Sequence, residues 1–101
     1  MSKEFETIKQ KIALNKEYLQ KTYGVEEIGV FGSLARGDNN ENSDIDIAIE
    51  INHEKATVGL FEFARMQHYL EGVLGRKVDL VIKSGIKSLI KDEILSQLII
   101  V

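Results

Sequence analysis

The chain has 101 residues, enough for one small domain and too few for two of ordinary size, so it is read as a single domain over residues 1–101. It contains no cysteine, which excludes disulfides and thiolate-bound metals. Its formal net charge of −3 speaks against a domain whose main task is gripping nucleic acid, because such domains are usually basic.

In chain order, residues 3–23 read as an amphipathic helix. Phe5, Ile8, Ile12, Leu19 and Tyr23 recur at helical spacings, Glu4 and Glu6 sit where the helix dipole favours negative charge, and Gly24 is the stop. Glu26 to Phe31 reads as a strand, with Ile28 and Val30 on one side and Glu27, Gly29 and Phe31 on the other. Gly32 ends it, and a short helix follows over Ser33 to Arg36. Gly37 to Ser43 is turn chemistry throughout. Asp44 to Ile51 alternates cleanly, Ile45, Ile47, Ile49 and Ile51 opposing Asp44, Asp46, Ala48 and Glu50. Thr57 to Leu74 reads as a helix with Leu60, Phe63, Gln67, Leu70 and Leu74 near one face and Gly75 as its stop. Lys77 to Ile82 is a third strand, and its apolar neighbours make Asp79 look buried. Ile86 to Leu95 is a last helix with Ile86, Leu89, Ile90 and Ile94 as its apolar stripe, and Leu98 to Val101 adds a short strand or lies in an interface. This order gives an α/β fold: a small mixed sheet flanked by helices. No signal-like apolar core stands near the N-terminus, and the run Leu98–Val101 is too short to span a bilayer. The expected setting is therefore cytoplasmic, with no membrane partner.

The chemistry concentrates in three carboxylates. Asp44 and Asp46, two apart on a strand, share a face at roughly 6.6 Å along it. Carboxylates so close repel unless cations lie between them, and magnesium takes hard oxygen ligands of this kind. Two such ions, roughly 3.5–4 Å apart, clamp the attacking and leaving oxygens of an in-line displacement. The plainer reading of Asp-x-Asp alone is a solvated strand face. Asp79 shifts the balance: if its strand neighbours that of Asp44 and Asp46, the three converge. Its plainer alternative is a salt bridge to Lys77 or Arg76.

Gly32 permits close backbone approach, and Ser33 at a helix start offers a hydroxyl and backbone N–H groups to phosphate. Arg36 has two readings, a phosphate or partner contact and a brace on the acidic loop through Asp38 or Asp44. Ser43 either caps that loop or belongs to the nucleotide site. Lys83 follows the Asp79 strand and is a candidate for the neighbourhood of the phosphates. His53 and His68 read as surface histidines, and Tyr18, Tyr23 and Tyr69 as helix packing.

Three segments taken together, Gly32-Ser33-Leu34-Ala35-Arg36-Gly37-Asp38, Ser43-Asp44-Ile45-Asp46-Ile47 and Val78-Asp79-Leu80-Val81, resemble the signature of DNA polymerase beta-type nucleotidyltransferases. In particular they resemble the minimal nucleotidyltransferases of the MntA-like antitoxin group, as does the run from Tyr69 to Val81. The resemblance covers residues 3–101 and departs only mildly at Leu34, where polar or basic residues are also common. It implies a polymerase beta-like core, ATP as substrate and two Mg²⁺ ions. By motif match Asp44 and Asp46 would bind both ions, Asp79 would bind the catalytic one and help activate the acceptor hydroxyl, and Gly32 and Ser33 would hold the triphosphate. It also implies an assembly with a HEPN-domain partner, a ribonuclease toxin whose tyrosine receives AMP, with no nucleic-acid template. Two alternatives stand beside this: a binding module that blocks the partner by contact, and a small-molecule adenylyltransferase whose acceptor surface comes from a partner subunit.

Overall fold

The computed structural model describes residues 3–52, 54, 57–86 and 88–101. The helix expected over 3–23 is α1, Lys3–Tyr23, and its five periodic apolar residues are all buried. It stops at Gly24, which takes φ +72° and donates its N–H to Gln20 O at 2.9 Å. Glycine reaches this left-handed conformation without the steric cost a Cβ brings. The strands are β1, Val25–Phe31; β2, Ile45–Ile51; β3, Val78–Ile82; and β4, Ile99–Ile100. Between them lie α2, Gly32–Arg36; α3, Leu60–Leu74; a 3₁₀ turn at Lys83–Gly85; and α4, Ser88–Gln97.

The sheet order is β3-β2-β1-β4. β1 runs antiparallel to β2 and to β4, while β2 and β3 are parallel. A parallel pair cannot be joined by a hairpin and needs a crossover, which α3 supplies. In the antiparallel register Ile28 faces Ile49 and Val30 faces Ile47. These side chains build one core with Phe5, Ile8, Ile12 and Leu19 of α1 and Met66, Leu70 and Leu74 of α3. The opposite parity of β2 carries Asp46, Ala48 and Glu50, so the alternation in the sequence separates core from chemistry.

Several expectations need correction. α3 begins at Leu60, after an extended Gly59, and Leu60 is 80% exposed, so the inner stripe starts one turn later with Phe63 and Met66. The start proposed at Thr57 falls short because 57–59 are not helical. α4 spans Ser88–Gln97 and buries none of its described residues; Leu89 is 94% exposed. Its apolar stripe is only partly covered among the described residues: Ile86 and Ile94 are half-buried, while Leu89 and Ile90 are exposed. β3 is an edge strand in which only Val78 and Leu80 are buried, and Asp79 is exposed. Asp79 looked enclosed because an apolar run does not reveal that its strand lacks a neighbour on one side. His53 and Lys87 lie outside the described residues.

Candidate active site

β1, β2 and β3 bring the chemistry to one end of the sheet. Phe31, the last residue of β1, is the register partner of Asp46, and Asp46 is the register partner of Asp79. Paired residues on neighbouring strands share a face at a spacing of about 4.8 Å. The strand adjacency required for convergence is therefore present. Asp44 precedes β2 and is exposed, whereas Asp46 is half-buried. Among the described residues no three acidic or histidine side chains already stand as a closed metal cluster. Asp46 and Asp79 meet, and Asp44 waits at the rim.

Asp46 titrates abnormally. Burial is the first cause pushing its carboxyl above the ordinary range, followed by the charges of Asp79 and Asp44. Arg36 pulls in the opposite direction, and a hydrogen bond with Asp79 adds to the rise. A carboxylate that is costly to ionise because two others crowd it is relieved by a divalent cation, so the donor set suits a hard cation such as Mg²⁺.

Gly32 explains how Asp46 fits. It has φ +72°, and a Cβ built there would lie 2.0 Å from Asp46 Oδ2 and 2.8 Å from its Cγ. The backbone of residue 32 thus passes against the carboxylate, and no larger residue has room. Ser33 is half-buried just beyond it, and no side chain caps the start of α2. Gly37 closes α2 at φ +84°, donating to Ser33 O at 2.9 Å.

The remaining polar residues hold the loop from Gly37 to Asp44. Arg36 Nε meets Asp38 Oδ2 at 3.1 Å and its Nη1 donates to Gln97 Oε1 at 3.0 Å. Its contacts are thus those of the loop brace. Ser43 Oγ accepts the Asn40 N–H at 2.9 Å, while Ser43 N–H donates to Asn40 O at 3.1 Å, closing the turn from both sides. Arg76 does not pair with Asp79; it pairs with Glu4 and donates to Ser43 O and to Asn40 O. Lys83 pairs with Glu27 of β1. Tyr18 contacts Tyr69 at 4.6 Å between ring centroids and Tyr23 at 6.3 Å, as helix packing requires. The roles of Arg76 and Glu4 escaped the sequence: they join segments distant in the chain, and no period links them.

An α/β sheet that sets a glycine–serine turn against paired strand carboxylates defines a nucleotidyltransferase. Comparison with known proteins agrees. Residues 12–101 match the family described as the nucleotidyltransferase domain. The protein adenylyltransferase MntA of Thermococcus cleftensis is 40% identical over 96 residues, covering 95% of this chain and 94% of that protein. A solved structure provisionally assigned as a minimal nucleotidyltransferase superposes with TM-score 0.78 at 32% identity, covering 94% of this chain and 93% of that one. A toxin–antitoxin complex crystallised with AMP-PNP contains a chain of the same fold, with TM-score 0.69 at 23% identity, covering 95% of this chain and 70% of that one. The chain belongs to the nucleotidyltransferase domain family, and within it to the minimal nucleotidyltransferases of MntA type.

Proposed function

We propose that this chain is an antitoxin that transfers AMP from ATP to a tyrosine hydroxyl of a HEPN-domain toxin. The observation that carries the reading is the placement of Asp46 between the Gly32 backbone and Asp79. The reading is supported by the 40% identical protein adenylyltransferase MntA of Thermococcus cleftensis, and it takes its kind of partner from a solved MntA–HepT toxin–antitoxin pair that contains a chain of the same fold. In the reaction the acceptor oxygen attacks the α phosphorus of ATP. A P–O bond to the acceptor forms, the bond to the β-phosphate bridging oxygen breaks, and pyrophosphate leaves. The acceptor hydroxyl proton passes toward Asp79, whose exposure lets an incoming protein hydroxyl reach it.

Asp44, Asp46 and Asp79 would hold two Mg²⁺ ions, which supply charge neutralisation at the triphosphate. Gly32 and Ser33 present the uncapped first turn of α2 to the phosphates, where backbone N–H groups favour anions. Arg36 and Ser43 keep the adjoining loop in shape, a supporting part in nucleotide binding. No described helix is long and apolar enough to cross a membrane.

A second reading, inhibition by contact alone, draws on a different observation. An apolar groove of about 760 Å³ runs beside β3, lined by Leu60, Phe63, Val81, Ile82, Ile90 and Ile94. A partner seated there could be blocked without chemistry. The deciding experiment incubates the partner with α-labelled ATP and either wild type or Asp44→Asn. Label on the partner with wild type alone, together with loss of neutralisation in the variant, supports transfer. Equal neutralisation by both proteins without label leaves only contact.

A further inference from the structure

We infer that Arg76 is a positioning residue that sets Asp44 for cation binding by gripping the peptide immediately before it. This rests on reading the carboxylates as a metal site. Asp44 lies outside β2, is exposed, and has no side-chain hydrogen bond or ion pair among the described residues. Its place therefore depends on its two flanking peptides. The carbonyl of Ser43, on the N-terminal side, accepts a hydrogen bond from Arg76 Nη2. The N–H of Ile45, on the C-terminal side, donates to Lys77 O at 2.8 Å. Two consecutive residues of the turn between α3 and β3 thus bracket Asp44, and β3 is the strand that carries Asp79. The same short segment fixes the spacing between Asp44 and Asp79.

Arg76 is itself well anchored. Its side chain is 22% exposed, and Nη1 pairs with Glu4 Oε1 on α1. The other Glu4 oxygen accepts from Asn39 Nδ2 at 2.9 Å, and Arg76 Nη2 also donates to Asn40 O at 3.1 Å. One guanidinium therefore ties α1, the loop before β2 and the turn before β3 at a single point. Reaching a carboxylate and two carbonyls needs the planar fork of arginine; a lysine ammonium is a compact point charge and serves such a set poorly. Removing a residue that orients a metal ligand costs about 10–100-fold in metal affinity.

The test is Mn²⁺ binding to the nucleotide-free protein, followed by electron paramagnetic resonance, for wild type, Arg76→Ala and Arg76→Lys. Amide exchange at Asp44 and Ile45 is read on the same samples. Lys21→Ala, which removes only an exposed pair with Glu17, is the control. The expected result is Mn²⁺ affinity lower by about tenfold in Arg76→Ala, an intermediate loss in Arg76→Lys, and faster exchange at Asp44 and Ile45. Low millimolar guanidinium, by refilling the vacated site, should restore part of both the affinity and the slow exchange of Arg76→Ala; affinity that stays low once the exchange is restored overturns the inference. Unchanged affinity and unchanged exchange overturn the inference. If Arg76→Ala does not fold, Arg76→Lys decides on the same terms. Wild type that binds Mn²⁺ without labelling any partner defeats the transfer reading and leaves the Arg76 result to be judged as stated. Wild type that binds no Mn²⁺ overturns both.

Discussion

Gly32→Ala separates the two demands that the fold places on one residue. Alanine at φ +72° costs about 1–2 kcal/mol for the left-handed backbone. Its Cβ would also lie 2.0 Å from Asp46 Oδ2, so the carboxylate has to leave its rotamer, adding about 0.5–1.5 kcal/mol. The sum is about 1.5–3.5 kcal/mol. Gly37→Ala is the matched comparison: its φ is +84°, but a Cβ there meets nothing within 4 Å, so only the backbone cost of about 1–2 kcal/mol applies. Both variants also restrict the unfolded chain, an offset of about 0.4–1 kcal/mol that cancels between them. Urea unfolding should therefore place Gly32→Ala roughly 1 kcal/mol below Gly37→Ala, both still folded at ordinary domain stabilities. Transfer should diverge much further: displacing a catalytic group by about 1 Å costs on the order of 100-fold, and only Gly32→Ala displaces Asp46. Equal stability losses, with Gly32→Ala still active at saturating Mg²⁺, would refute the claim that glycine is there to admit the carboxylate.

Asp46→Asn should abolish transfer yet raise the melting temperature in metal-free buffer, since it removes a charge that burial, Asp79 and Asp44 all disfavour. The sign follows from the raised carboxyl: its folded form holds a proton more tightly, so that contribution to stability is full at acid pH and is lost as pH rises from the unfolded value of about 3.9 through the folded one. Melting scans should show wild type falling further below Asp46→Asn across that window, and added Mg²⁺ should narrow the gap; a gap independent of pH would contradict it. Asp79→Asn should lower transfer by about 10²–10⁴-fold, as expected for loss of a general base, while stability in metal-free buffer should rise slightly, because the variant removes one of the charges that disfavour an ionised Asp46. In calorimetry, Leu89→Lys on the uncovered face of α4 should leave stability within about 0.5 kcal/mol, whereas Met66→Ala in the fully buried core should cost about 2–5 kcal/mol.

What the sequence discloses follows from how far each physical signal travels along the chain. The period of two in β2 sorts Ile45, Ile47, Ile49 and Ile51 from Asp46 and Ala48 because pleating is local, and the structure keeps that sorting. The pairing of Asp46 with Asp79 also needs β2 and β3 to be neighbours, which the intervening α3 crossover makes the natural arrangement. Beyond this, local rules fall silent. Apolar spacing in α4 is the same whether or not something lies against it, so exposed Leu89 and buried Leu70 read alike in sequence. Arginines are harder still, since a long side chain selects partners by where other segments end up. Arg36 and Arg76 therefore carry the least informative positions and the most specific contacts. Gly32 lies between these extremes. A glycine after a strand announces a turn, but the reason it must be glycine is a carboxylate on the next strand, visible only when β1 and β2 are laid side by side. A turn residue and a half-buried strand aspartate are then two halves of one packing requirement, since the carboxylate occupies the space that a side chain at residue 32 would need.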